Sequence, residues 1–156
     1  PVAYNFGEKL VKVPGLDGSG KMGKSEGNGV FLADDPDTIR KKVMKAVTDS
    51  GPTEPDQPKP EAIENLFAIM RIVSTPDTYA FFDEKYNTCQ VRYGDMKKQL
   101  AEDIIKVTTP VREKIEGYLA DNAYLRKVAK LGAEKARESA SNTIKEVRSI
   151  IGFKEF

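Results

Sequence analysis

Histidine is absent from this chain of 156 residues, and Cys89 is its only cysteine. A single cysteine excludes an intrachain disulfide, and the composition offers neither a CxxC motif nor a mixed Cys/His site, so no metal-binding residue is predicted. No apolar run approaches the roughly 18 residues that a membrane helix needs, and no signal peptide is expected. These absences favour a protein without membrane segments that works in a reducing compartment, the cytoplasm.

A glycine-rich segment from Gly18 to Gly29 is the most distinctive feature that the sequence does contain. It holds five glycines and two lysines, Lys21 and Lys24, three positions apart. Glycine adopts backbone conformations that are closed to other residues, so backbone amides and lysines of such a segment can close around an anion. We therefore predict a mobile loop that handles a polyphosphate.

The same segment matches the P-loop pattern G-x-x-x-x-G-K-[ST] between Gly18 and Ser25. A P-loop needs a buried strand before it and a helix that starts at its Lys-Ser pair, because the helix N-terminus must face the phosphates. Here the preceding stretch Lys9–Val13 is short and half polar, and Glu26–Gly29 breaks a helix. A P-loop nucleotide-binding fragment is kept as a disfavoured alternative, together with a solvated loop that binds nothing.

Taken as one unit, Lys21-Met-Gly-Lys-Ser25 resembles the KMSKS signature of class I aminoacyl-tRNA synthetases, with Gly23 in place of the first serine. Further segments resemble the tryptophanyl branch of that family: Pro14-Gly-Leu-Asp-Gly18, Ser25-Glu-Gly-Asn28, Asp34-Asp-Pro-Asp37, Ala46-Val-Thr-Asp-Ser50, Tyr93-Gly-Asp-Met-Lys-Lys98 and Gly132-Ala-Glu-Lys-Ala-Arg137. The tyrosyl branch shares the signature loop and is a second interpretation of the same residues.

The resemblance implies that the chain is the C-terminal part of a longer enzyme. The other family signature, H-x-G-H, cannot occur without histidine, so it and the Rossmann-type catalytic domain that carries it are expected in a preceding segment. The parent would activate tryptophan with ATP and magnesium and then charge tRNA(Trp), as a homodimer, and this part alone is expected to be inactive. A freestanding helical RNA-binding or adaptor module is the alternative from another class of protein.

The resemblance also assigns roles to the loop residues. Lys24 matches the second lysine of the signature and is expected to contact the pyrophosphate leaving group in the transition state. Lys21 matches the first lysine and is expected to help hold the phosphates, while Met22, Gly23 and Ser25 complete the ATP site through backbone or hydroxyl contacts. Gly23 lacks the hydroxyl of the usual serine and adds roughly 0.5–1 kcal/mol of ordering entropy.

Apolar periodicity predicts a mainly α fold, a bundle of five or six helices after a short strand and loop segment left from the absent catalytic domain. Helix starts are predicted at Asp35-Pro36, Thr75-Pro76 and Asp121. A strand is predicted over Leu10–Val13, and a kink is predicted before Pro110. We place a domain boundary so that residues 1–33 end the catalytic domain and residues 34–156 form the helical domain, which the resemblance makes the anticodon-binding domain.

Charge is unevenly distributed along the helical part. Residues 51–96 carry 4 basic and 8 acidic side chains, whereas residues 97–148 carry 12 and 8. The basic part is the one that a polyanion would meet. We predict that it binds tRNA, with Lys97, Lys98, Arg126 and Lys130 as the candidate contact residues.

Overall fold

The computed structural model describes residues 12–153, which contain five α-helices and no strand. The helices are α1 (Pro36–Met44), α2 (Glu61–Val73), α3 (Pro76–Asn87), α4 (Tyr93–Ala120) and α5 (Asn122–Ile150). The prediction of a mainly α fold is thereby confirmed. The first two residues of the strand predicted over Leu10–Val13 lie outside the described residues, and its last two, Lys12 and Val13, lie in coil.

The three predicted helix starts are confirmed. Side-chain oxygens of Asp35, Thr75 and Asp121 each accept a hydrogen bond from the backbone N–H three residues later, which satisfies one of the amides that a helix leaves free. Proline opens α1 and α3, where its fixed φ suits the first turn. Local capping chemistry therefore sets where these helices begin.

Helix α4 continues through Pro110. Proline removes one backbone hydrogen bond inside a helix and crowds the turn before it. In that turn, the hydroxyls of Thr108 and Thr109 donate to the carbonyl oxygens of Ile104 and Ile105, at 2.9 and 2.7 Å. These hydroxyls give the turn extra hydrogen bonds at the point where the backbone loses one, while the kink itself stays a prediction.

The chain divides into two compact units, residues 1–112 and residues 113–156. Apolar side chains of α1 to α4 bury one another in the first unit, together with Leu16, which precedes the glycine-rich segment, and Ala46, which follows α1. The buried members are Leu16, Ile39, Val43, Ala46, Ile63, Leu66, Phe67, Ile69, Met70, Phe82, Tyr86, Met96, Leu100, Ala101 and Ile104. Because Leu16 belongs to this core, the base of the loop packs directly onto the helices.

The second unit holds the end of α4 and the whole of α5. None of the described side chains of α5 is buried, although several are large and apolar. The rings of Tyr118 and Tyr124 stack with their centroids 5.5 Å apart at the α4–α5 connection. Within residues 12–153, no helix has the length and apolar character needed to cross a membrane. The domain boundary at residues 33 and 34 stays a prediction.

Candidate functional site

The glycine-rich loop is organised around the side-chain amide of Asn28, which exposes only 5% of its surface. Its Oδ1 accepts a hydrogen bond from the backbone N–H of Gly23 at 2.9 Å. Its Nδ2 donates to the carbonyl oxygen of Lys21 at 3.1 Å, to Ser19 Oγ at 2.9 Å and to the Asp17 carboxylate at 3.1 and 3.2 Å. One buried side chain therefore fixes the backbone at two points of the segment Lys21–Ser25, which we call the KMGKS loop.

The carboxylate of Asp17 closes the upstream half of this network. It accepts hydrogen bonds from the hydroxyl of Ser19 at 2.6 Å and from the backbone N–H of the same residue at 3.0 Å. These bonds, with a further one from Asn28, hold the pKa of Asp17 below its ordinary value. The ionised carboxylate of Asp17 is thus the acceptor that orients the Asn28 amide.

Two glycines are required by close packing beneath the loop. A Cβ on Gly15 would lie 2.4 Å from both Asn28 Nδ2 and Asp17 Oδ1, so a side chain there would displace the network. Gly18 has a φ of +87°, and a Cβ on it would approach Ala62 Cβ of α2 to 3.3 Å. Gly18, one of the glycines from which mobility was predicted, therefore also lets the backbone approach α2 closely.

The helical core holds the loop at two further places. Asn65 of α2 donates from Nδ2 to the carbonyl oxygens of Gly18 and Ser19, at 3.0 and 3.1 Å. Met22 is half-buried against the core, and its backbone N–H donates to the carbonyl oxygen of Val13 at 2.8 Å. The KMGKS loop is consequently anchored at its centre by an apolar side chain.

The charged side chains of the loop lie on its outer surface. Lys21 and Lys24 are exposed on either side of the anchored Met22, and Ser25 is exposed beside them. Lys24 and Ser25 form a turn, and the first helix after them in the described residues begins only at Pro36. The helix N-terminus that a P-loop requires is therefore missing from this loop, and its two ammonium groups face outward.

A hydrogen bond within the protein competes with the predicted ATP contact through the backbone of Gly23. The N–H of Gly23 already donates to Asn28 Oδ1, whereas the hydroxyl of Ser25 is exposed. A Cβ on Gly23 would lie 2.5 Å from Cγ of Glu26, so the serine usual in the signature would need that flexible side chain to move. The glycine here suits the tight turn between the two residues.

The four predicted tRNA-contact residues fall into two groups. Lys97 is only 8% exposed, and its Nζ donates to the carbonyl oxygen of Ala46 at 2.7 Å and to Thr48 Oγ1 at 3.0 Å. Burial lowers the pKa of Lys97. Its ammonium ties α4 to the segment after α1, so Lys97 is not a surface cation. The exposed candidates are Lys98 in the first unit and Arg126 and Lys130 in the second.

A cleft of about 690 Å³ between the end of α3 and the start of α4 was not predicted from the sequence. Phe81, which is 53% exposed, lines it together with Lys85, Cys89 and Arg92. Lys85 Nζ lies 5.8 Å from the centroid of the Phe81 ring. The available signal was that Phe81 falls outside the apolar stripe of its helix, which contains Phe82.

Residues 8–109 match the family model described as class I tRNA synthetases (W and Y). The chain therefore belongs to the class I tRNA synthetases, in the branch specific for tryptophan and tyrosine. Among its relatives are tryptophan–tRNA ligases. The enzyme of Porphyromonas gingivalis is 60% identical over 154 residues, which cover 99% of this chain and 47% of that protein. That of Streptococcus pyogenes serotype M1 is 35% identical, over 98% of this chain and 46% of that protein.

Solved structures give the same assignment. Tryptophanyl-tRNA synthetase from Campylobacter jejuni, solved with ADP and tryptophan, superposes with a TM-score of 0.72 at 27% identity, over 94% of this chain and 45% of that one. Tyrosyl-tRNA synthetase from Aeropyrum pernix reaches 0.55 at 26% identity, over 78% and 38%. The tryptophanyl resemblance is confirmed, and the chain spans about half the length of the curated relatives, corresponding to their C-terminal half.

Proposed function

We propose that this chain is the C-terminal portion of a tryptophan–tRNA ligase. The parent activates tryptophan with ATP, releases pyrophosphate and transfers the tryptophan to tRNA(Trp). The observation that carries the proposal is the 60% identity to a tryptophan–tRNA ligase over almost the whole chain. The exposed lysines of an anchored KMGKS loop support it, because they suit the charge that this reaction creates.

The chemistry explains why two lysines are needed. The carboxylate of tryptophan attacks the α-phosphate of ATP, and negative charge builds on the departing pyrophosphate. Cations held in place before the reaction stabilise such charge without reorganisation. Lys24 is assigned to the leaving group and Lys21 to holding the phosphates. Met22, Gly23 and Ser25 form the rest of the ATP-contacting segment.

Magnesium is assigned to the nucleotide. Magnesium usually binds through one or two carboxylates together with substrate phosphates, so ATP supplies ligands of its own. A homodimeric state and a cytoplasmic location belong to the same proposal and are supported by family membership.

Pyrophosphate exchange tests the proposed function directly. The full-length protein that contains this chain is incubated with ATP, labelled pyrophosphate and either tryptophan or tyrosine, and the label entering ATP is measured. Exchange with tryptophan, followed by charging of tRNA(Trp), is the expected result. Exchange with tyrosine alone would assign the chain to the other branch, and RNA binding without exchange for either amino acid would favour the adaptor alternative.

The tRNA contacts are assigned to exposed groups of each unit taken by itself. Lys98 in the first unit, and Arg126 and Lys130 in the second, offer positive charge to phosphates, whereas the ammonium of Lys97 is hydrogen-bonded inside the protein. The α3–α4 cleft adds an exposed ring, that of Phe81. Unpaired RNA bases stack on aromatic side chains and on arginine, so this cleft fits a base displayed by a tRNA loop.

Replacing Phe81 with alanine is expected to weaken tRNA(Trp) binding by about 5- to 150-fold while leaving its salt dependence unchanged, because base stacking is lost without loss of charge. Lys98→Ala should instead make the plot of log affinity against log salt concentration less steep, by the amount expected for the loss of about one phosphate contact. Filter binding at several salt concentrations measures both. Ile72→Ala, which trims another exposed apolar side chain, is the matched control; equal affinities for Phe81→Ala and Ile72→Ala would remove the cleft from the tRNA surface.

A further inference from the structure

We propose that Asn28 is a positioning residue for the two lysines of the KMGKS loop. This inference rests on the proposed function and adds a residue to its machinery. Asn28 touches no reacting atom. Its amide instead holds the carbonyl oxygen of Lys21 and the N–H of Gly23, which are the backbone groups on either side of Met22. It thereby sets the backbone from which both lysine side chains extend.

The surroundings of the amide require a donor at one end and an acceptor at the other. Nδ2 faces only acceptors: the Asp17 carboxylate, Ser19 Oγ and the carbonyl oxygen of Lys21. Oδ1 faces the N–H of Gly23. An aspartate has nearly the same shape, but it would place a second carboxylate beside Asp17 and an acceptor opposite a carbonyl oxygen. The change from Asn28 to aspartate is therefore a selective disruption of this clamp.

The clamp is itself fixed to the helical core. The backbone N–H of Leu16 donates to the carbonyl oxygen of Asn28 at 2.9 Å, and Leu16 is buried among the core side chains. The carbonyl oxygen of Leu16 in turn accepts from the N–H of Val47 at 2.9 Å. Asn28 thus links the buried core to the loop that carries the exposed lysines. Small displacements of catalytic groups cause large losses of rate.

The test uses Asn28→Asp in the full-length protein, with kcat and KM measured by tryptophan-dependent pyrophosphate exchange. We expect kcat to fall by about 10- to 100-fold, with little change in the KM for tryptophan, because the loop is proposed to act on the phosphates of ATP. Asn87→Asp is the matched control, since Asn87 Nδ2 also faces a carboxylate, that of Asp83, but in α3. It should retain the kcat of the unchanged protein.

A paired exchange separates positioning from general stability. In the double variant Asp17→Asn with Asn28→Asp, an amide again faces a carboxylate, and the new carboxylate can still accept from Gly23. The donor to the carbonyl oxygen of Lys21 and to Ser19 Oγ stays missing. We expect the double variant to recover a substantial part of the lost kcat relative to Asn28→Asp, a result that a simple loss of packing would not produce.

Hydrogen exchange provides a readout that does not depend on catalysis. The amide proton of Gly23 should exchange slowly in the unchanged chain and markedly faster in Asn28→Ala, which removes the oxygen that accepts its hydrogen bond. Unchanged kcat in a folded Asn28→Asp protein, or equal exchange rates at Gly23 in Asn28→Ala and the unchanged chain, would overturn the positioning role. Absence of tryptophan-dependent pyrophosphate exchange in the unchanged protein would instead overturn the proposed function. The hydrogen-exchange rate at Gly23 would still decide whether Asn28 holds the loop.

Discussion

Replacing Lys24 with alanine is expected to lower the kcat of tryptophan-dependent pyrophosphate exchange by on the order of a hundredfold to a thousandfold, or about 3 to 4 kcal/mol. The KM values for ATP and tryptophan should change little. A charge that acts mainly on the developing pyrophosphate stabilises the transition state more than bound ATP, so its removal affects turnover and spares ground-state binding. The measurement uses the full-length protein, with each substrate varied in turn.

The division between kcat and KM matters more than the loss itself, because a P-loop lysine would also contact phosphate. Lys41→Ala is the matched control, since Lys41 is an exposed lysine of α1 outside the loop. It should leave both constants close to those of the unchanged protein. Near-normal exchange by Lys24→Ala would show that Lys24 is not the catalytic lysine, and a large rise in the KM for ATP alone would assign it to ground-state binding.

The second large effect concerns stability. Phe67→Ala is expected to lower the free energy of unfolding by about 3–5 kcal/mol, the range for removing a buried phenylalanine ring. Phe67 is fully buried, and its ring meets those of Tyr79 and Tyr86 edge-on at centroid distances of 5.6 and 6.1 Å. The Nζ of Lys59 lies 4.9 Å from the centroid of the Phe67 ring. Urea unfolding of the chain, followed by helical circular dichroism, measures the change.

Phe81→Ala makes the same chemical change at an exposed position and serves as the control for stability. It should lower the free energy of unfolding by no more than about 1.5 kcal/mol, because its exposed ring loses mainly an edge-on contact with Phe82, at a centroid distance of 5.1 Å. Phe67→Ala should therefore change the free energy of unfolding, whereas Phe81→Ala should mainly change the affinity for tRNA. Similar losses of stability in the two variants would mean that the packing around Phe67 does not hold this unit together.

The helices could be predicted because their signals are local. Asp35, Thr75 and Asp121 each cap a helix through a backbone amide three residues away, and the apolar stripes repeat within a few turns. The signature of the loop was equally local, since the residues that define it are adjacent. Lys21 and Lys24 are exposed, and their contact with phosphate stays a prediction.

The supports of the site could not be predicted, because they join distant parts of the chain. Lys97 was assigned to a charged surface, but its ammonium meets the carbonyl oxygen of Ala46, 51 positions earlier. Asn65 reaches Gly18 across 47 positions. The network around Asn28 could not be predicted for a different reason: asparagine near glycine is typical of any turn, and only burial distinguishes this one.

Cys89 lies at the rim of the α3–α4 cleft, is exposed and is the only thiol in the chain. A maleimide dye would therefore attach to this chain at a single position, without engineering. The dye would stand beside Phe81 and Arg92, the side chains expected to meet a base. Its emission would report on whatever enters the cleft, so occupancy can be followed optically while every side chain proposed to contact RNA keeps its natural identity.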